Sequence, residues 1–282
     1  MRISKVLQRL LIFFIGIPVI IGFVYIDFKN HLPIHVLILL FSFVGADELY
    51  TILQKKHEML PKPFILALSL LSPVCGMFCA VFGLPPEYIT YGFTFSCILL
   101  FTYDAFSAKS FSASNTKIAG GILVIFYAGF LVTFISRITM LENSTTFLAT
   151  FLFMVFICDS LAWLFGMLFG KNNRGVVAVS PNKSIAGFIG GFLGAIAAAV
   201  LSHQVWPAVF HGTVLKSVVL GLVIACSAII GDLVESVFKR SAGVKDSGTI
   251  IPGRGGVLDS VDSIFASAPV FYILIQILYF RN

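Results

Sequence analysis

DLVESVFKRSAGVKDSGTIIPGRGGVLDSVD, residues 232–262, interrupts an otherwise apolar chain. VLKSVVLGLVIACSAIIG (214–231) precedes it and SIFASAPVFYILIQILYF (263–280) follows it. The block carries five of the thirteen acidic residues (Asp232, Glu235, Asp246, Asp259, Asp262) and four of the nineteen basic ones (Lys239, Arg240, Lys245, Arg254). Each flank is about the length of helix needed to cross hydrocarbon. Working outward, the same apolar pattern recurs along all 282 residues, of which 58% are hydrophobic and only 11% charged. That composition lies outside the range of soluble domains and predicts an all-α, polytopic integral membrane protein.

Nine spans are expected, near 9–26, 33–53, 64–83, 88–106, 118–136, 147–170, 185–205, 214–232 and 263–280. The first follows MRISKVLQR and is too long for a signal-peptide core, with no small-residue cleavage site before Asp27, so it reads as an uncleaved span. Loop charge tests the count. Nine spans place the N-terminus and segments 54–63, 107–117, 171–184 and 233–262 on one side, with fifteen of the nineteen basic residues. Lys29, Arg137, Lys216 and Arg281 fall on the other. The positive-inside rule then puts the N-terminus and the polar block in the cytoplasm, as in a multi-pass protein of the inner (cytoplasmic) membrane. The net charge of +6 is explained by this topology and needs no nucleic-acid partner. One membrane-embedded domain, 1–282, is expected, with N-terminal helices in 1–140 and the site-bearing helices and loops in 147–282. Glycines 187, 190, 191 and 194 share a helix face and read as close packing. The five cysteines lie in apolar runs and read as small buried hydrophobes.

The chemistry concentrates in the polar residues. If the eighth helix continues past the lipid boundary, Asp232, Glu235, Ser236 and Lys239 fall on one face, with Arg240 at its edge. Such a face can hold a divalent ion beside a polyphosphate; a plain helix-end pair, Glu235 with Lys239, is the alternative. Glycines 243, 248, 253, 255 and 256 with Pro252 make a loop able to turn N–H groups toward an anion. The phosphate-loop pattern G-x-x-x-x-G-K-[ST] is absent. Asp259 could face Asp232 across this loop, and two carboxylates with open coordination positions suit Mg²⁺. Asp262 either joins them or caps the last helix. Asp159 is an acid inside the sixth span that needs a partner or a polar cavity. The following loop offers Ser180 and Lys183, the latter either a phosphate ligand or part of the topological charge bias.

SVFKRSAGVKDSGTIIPGRGGVLDSVDS (236–263) resembles the signature of phosphatidate cytidylyltransferases (CDP-diacylglycerol synthases), S-x-x-K-R-x4-K-D, then P-G-H-G-G, then D-R-x-D. SPNKSIAG (180–187) is similar to the family element S-P-x-K-T-x-E-G, and Asp159 stands where members carry an acid before that loop. The resemblance implies transfer of the cytidylyl group of CTP to phosphatidate with Mg²⁺, giving CDP-diacylglycerol and pyrophosphate in phospholipid biosynthesis. It implies metal binding by Asp232 and Asp259, and substrate-site positions at Ser236, Lys239, Arg240, Lys245 and Asp246. Ser180 and Lys183 match the phosphate-handling loop. Glu235, Arg254, Asp262 and Asp159 complete the expected substrate site. The partners are CTP, phosphatidate and membrane lipid, and a homodimer is left open. Three positions depart from the pattern: Arg254 replaces His, Ser260 replaces Arg and Ala186 replaces Glu. A CTP-dependent lipid kinase of polyprenol or phytol type is the enzymatic alternative. An ion-coupled transporter using Asp27, Asp47, Glu48, Asp104, Asp159 and Lys216 is the alternative of a different class.

Overall fold

A computed structural model describes residues 16–251, 253 and 255–280. Among them the chain is helical, with no strands beyond two isolated bridges. Its helices are α1 (Ile17–Val24), α2 (Leu32–Leu53), α3 (Lys62–Phe82), α4 (Glu87–Ser107), α5 (Ser114–Val124), α6 (Thr133–Thr139), α7 (Ser144–Phe169), α8 (Ile185–Val205), α9 (Val214–Ser241) and α10 (Leu258–Ile275). A π-helical stretch, Ile125–Phe130, joins α5 to α6, and another, Gln276–Phe280, extends α10.

Eight stretches of the described residues are long and apolar enough to cross a membrane: Leu32–Leu53, Lys62–Phe82, Glu87–Ser107, Ser114–Thr139, Ser144–Phe169, Ile185–Val205, Val214–Ser241 and Leu258–Phe280. They correspond to the second through ninth expected spans. The first, 9–26, lies partly outside the described residues, which include its later part as α1 (Ile17–Val24). The protein is therefore a polytopic, all-α membrane protein, as the composition required. Two boundaries move. α9 continues nine residues past the expected end at 232, and α10 begins at Leu258, five before the expected 263.

The chain forms two compact units, one of Met1–Met140 with Phe238–Val261, the other of Leu141–Val237 with Asp262–Asn282. The segment 238–261, which holds most of the polar block, thus belongs with the N-terminal helices.

In the second unit, α7 and α8 pack closely because α8 presents glycine. A Cβ on Gly187 would lie 2.9 Å from the Ala162 carbonyl, and one on Gly194 would lie 2.9 Å from that of Ile157. Small residues let helix backbones approach where no water-driven force pulls them together. At Gly190 the added Cβ would meet the Leu161 carbonyl at 2.6 Å and Phe165 Cβ at 2.7 Å. Gly190→Val is therefore expected to destabilise the unit by about 1–3 kcal/mol, read as a lower melting midpoint in detergent. α8 starts where Ser184 accepts a hydrogen bond from the Gly187 N–H at 3.1 Å, a side-chain N-cap. The five cysteines are free, but only Cys79 and Cys158 are buried; Cys75 and Cys97 are half-buried and Cys226 is exposed, so the expectation of five buried hydrophobes holds for two of them.

Candidate active site

In the first unit the polar block is shaped by its helix ends. α9 stops through Gly243, at φ +71°, a conformation that glycine adopts without strain. The N–H of Gly243 then bonds to the Arg240 carbonyl at 3.0 Å and that of Val244 to the Lys239 carbonyl at 2.9 Å, satisfying the last turn. Arg240 folds back so that Nη1 donates to the Val244 carbonyl at 3.0 Å. Farther along, Ile251 and Gly255 exchange two backbone bonds of 2.8 and 3.0 Å, closing a tight turn.

These bends bring Asp259 to Lys239. The Lys239 ammonium lies 2.5 Å from Asp259 Oδ1, and both side chains are largely buried. Asp259 Oδ2 accepts the Ser247 N–H at 2.8 Å, the Ser247 hydroxyl at 2.9 Å and the Gly256 N–H at 2.8 Å. Lys239 is therefore held by Asp259. A charge-assisted pair with three further donors in a poorly solvated place is a rigid unit. Lys245 and Asp246 are exposed on the same loop. The Ser260 hydroxyl is buried with no hydrogen-bond partner among the described residues, so it supplies no substitute for a guanidinium. Arg254, which replaces the signature His, lies outside the described residues.

A residue that the sequence reading placed in a transport relay enters here. Glu48, from α2, is only 5% exposed. Its Oε1 accepts the Val257 N–H at 3.0 Å; its Oε2 accepts the Leu258 N–H at 2.8 Å and the Ser247 hydroxyl at 2.9 Å. Gly256 has no room for a side chain, because a Cβ there would overlap the Ser247 hydroxyl and the Glu48 carboxylate. Gly256→Ala is expected to cost about 1–3 kcal/mol and to lower activity, read by thermal unfolding and product formation on one preparation. The neighbouring Asp47 pairs with Lys62 at 2.7 Å. These two acids thus have local structural partners rather than the arrangement of a relay.

In the second unit, the 171–184 loop folds onto itself. Lys183 N–H donates to the Ser180 carbonyl at 3.0 Å, and the Gly175 N–H lies 3.0 Å from the Pro181 carbonyl and 3.2 Å from that of Lys183. Ser180 is thereby the first residue of a turn that presents Lys183. The Lys183 ammonium reaches Asp232 Oδ2 at 2.6 Å. The Ala186 N–H, at the position where Glu is missing, lies 3.4 Å from Asn173 Oδ1.

The remaining acids gather on the same unit. Asp262 is buried and lies within electrostatic reach of Asp232, Glu235 and Asp159. Its Oδ1 accepts the Ser263 N–H at 2.7 Å, while the Ser263 hydroxyl lies 3.2 Å from the Ala228 carbonyl and 3.5 Å from Asp159 Oδ1. Asp262 therefore joins the acids, the first of the two roles its position allowed. Glu235 is fully buried and Ser236 nearly so. Asp232 and Asp259 fall in different units, each with a lysine of its own unit.

Carboxylate oxygens are the donors that Mg²⁺ takes, and the charges of Asp232, Glu235 and Asp159 act on Asp262, a repulsion that a divalent cation relieves. Among the described residues no three or more acidic, His or Cys side chains converge into a preformed cage.

The profile of the cytidylyltransferase family matches residues 7–278. A phosphatidate cytidylyltransferase of Staphylococcus haemolyticus is 32% identical over 177 residues, covering 63% of this chain and 65% of that protein. One from Haemophilus influenzae is 37% identical over 180 residues, 62% of each chain. One from Staphylococcus epidermidis is 40% identical over 122 residues, covering 43% of this chain and 46% of that protein. The aligned regions thus span less than two thirds of these relatives' length.

Proposed function

Since the chain belongs to the cytidylyltransferase family, we propose that it transfers the cytidylyl group of CTP to phosphatidate, forming CDP-diacylglycerol and releasing pyrophosphate. The observation that carries this reading is the pair of oriented lysines, Lys239 on Asp259 and Lys183 on Asp232, both at positions matching the phosphatidate cytidylyltransferase signature.

The chemistry asks for cations. A phosphatidate oxygen forms a bond to the α-phosphorus of CTP, and the bond from that phosphorus to the β-bridging oxygen breaks. Pyrophosphate leaves with the electron pair. The nucleophile is already anionic, so no strong base is needed; repulsion between anions and the charge on the leaving group set the barrier. Lys239 and Lys183 are positioned for that charge, each oriented by a carboxylate that an incoming phosphate would displace or share. Arg240 and Lys245 add positive charge to the polar loop of the first unit; Ser236, Asp246, Ser180 and Arg254 are assigned to substrate by the match to the family signature. Mg²⁺ would be held at Asp232 with Asp262, Asp159 and Glu235 nearby, and when bound it supplies charge neutralisation on phosphate oxygens. Metal binding at Asp259, the second expected ligand, would compete with its Lys239 pair.

The fatty chains would remain among the spans with the headgroup at the cytoplasmic boundary. The basic loops support an inner-membrane protein with the N-terminus and this site on the cytoplasmic side, where CTP is made. Product analysis tests the reaction. Phosphorus NMR of purified protein with CTP, phosphatidate and Mg²⁺ should show pyrophosphate and CDP-diacylglycerol rising together. Release of CDP without CDP-diacylglycerol would replace this reading with a lipid kinase.

A further inference from the structure

Glu48 sits in the middle of the polar loop's hydrogen bonds, although it comes from α2, far away in sequence. The N-terminus of α10 presents backbone N–H groups with no partner inside the helix, and the helix dipole adds positive potential there. Glu48 takes two of these donors, on Val257 and Leu258, one with each carboxylate oxygen. Burying a carboxylate is costly unless it is so satisfied. Its third donor, the Ser247 hydroxyl, lies at the other end of the loop. Glu48 therefore pins the loop's entry and exit to one point.

Ser247 extends the connection to the chemistry. Its hydroxyl lies 2.9 Å from Glu48 Oε2 and 2.9 Å from Asp259 Oδ2, and its oxygen is 3.3 Å from the Asp259 N–H. The hydroxyl has one hydrogen, so the two carboxylates share a single donor. Asp259 in turn holds the Lys239 ammonium. The loop's glycines accommodate this: a Cβ on Gly248 or Gly256 would intrude on the Glu48 carboxylate. The chain of contacts runs Glu48, Ser247, Asp259, Lys239, all within the first unit.

We infer that Glu48 is a positioning residue for cytidylyl transfer: it fixes the loop and, through Ser247, the Asp259–Lys239 pair. This rests on the function proposed above. A small misplacement of a charged group from the transferring phosphoryl costs up to about 10²-fold in rate, so the effect should fall on kcat rather than on substrate affinity.

The test combines kinetics with amide exchange on the full-length protein in detergent. Glu48→Gln keeps the shape and one acceptor oxygen but offers N–H where a donor already points. It should lower kcat about tenfold, with KM for CTP and phosphatidate within about twofold. Glu48→Ala should lower kcat about 10²-fold; where it fails to yield monodisperse protein, Glu48→Gln carries the test. Ser247→Ala should also cost about tenfold, and Glu48→Gln combined with Ser247→Ala should be no worse than about tenfold, because both act through one contact. Independent losses of folded enzyme would multiply instead. Backbone amides in peptides covering 245–258 should exchange at least about tenfold faster in Glu48→Gln than in wild type. Wild-type kcat in both Glu48 variants, or exchange unchanged in that segment, would overturn the proposal. If wild-type protein itself makes no CDP-diacylglycerol, the functional reading fails, while the exchange result still decides whether Glu48 anchors the loop.

Discussion

Asp259→Ala is expected to lower CDP-diacylglycerol formation by about 10³-fold or more, while the protein still inserts and purifies as a single species. The expectation comes from what the carboxylate does at once. It orients the Lys239 ammonium at 2.5 Å and collects the Ser247 N–H, the Ser247 hydroxyl and the Gly256 N–H. Truncation releases the cation most directly assigned to phosphate charge and leaves the Ser247 and Gly256 N–H groups without their acceptor. Removing one partner of a buried, hydrogen-bonded ion pair is far more damaging than the net worth of the pair. The helix around it need not suffer, because Glu48 still caps the N-terminus of α10. Asp259→Asn separates the two losses: the amide keeps an acceptor for the loop but no charge for Lys239, and should recover folding stability more than activity. Product formation and size-exclusion profiles on the same preparation check both. Turnover retained in Asp259→Ala would remove Asp259 from the reaction altogether.

Lys183→Met should cost about 10²- to 10³-fold in kcat/KM, the scale for losing one charged group that stabilises a transferring phosphoryl. The ammonium sits 2.6 Å from Asp232 Oδ2 on a turn built by Ser180 and closed by Gly175. Methionine preserves much of the side-chain bulk and removes the charge, leaving Asp232 beside Asp262 without its lysine. Lys183→Arg should not restore full activity, because a planar guanidinium does not occupy the place of a compact ammonium. Asp232→Asn should fall in the same range and should also raise the Mg²⁺ concentration needed for half-maximal rate; Lys183→Met should not. The double variant should be no worse than the weaker single, since one pair is being dismantled. Steady-state kinetics across a Mg²⁺ series reads all three.

The helices were legible because a bilayer requires long apolar runs, and the eight described spans follow them within a few residues at most ends. The extension of α9 was legible too: Asp232, Glu235, Ser236 and Lys239 keep helical spacing although the segment is polar. The early start of α10 was not. LDSVD reads as loop because two acids interrupt it, and the partner that satisfies its N-terminus is Glu48, remote in sequence. Nor does any local pattern announce the π-helical stretch Ile125–Phe130 that interrupts the fourth described span, Ser114–Thr139. Among the site residues, Lys239, Asp259, Lys183 and Asp232 each stood out by type and position. Their pairing did not, because a contact such as Lys183 with Asp232 is a fact of tertiary packing. Glu48 did leave a signal: an acid inside a span with no basic residue three or four positions away on its own helix. Such a residue must find a distant partner, and the partner is the loop.

The central claim is that the α-phosphoryl of CTP goes to the lipid. Purified protein supplied with phosphatidate and Mg²⁺ should be given CTP labelled at the α-phosphorus in one reaction and at the γ-phosphorus in another. The account predicts the α label in CDP-diacylglycerol and the γ label in pyrophosphate, in equal amounts. The γ label in lipid, with the α label left in CDP, would contradict it.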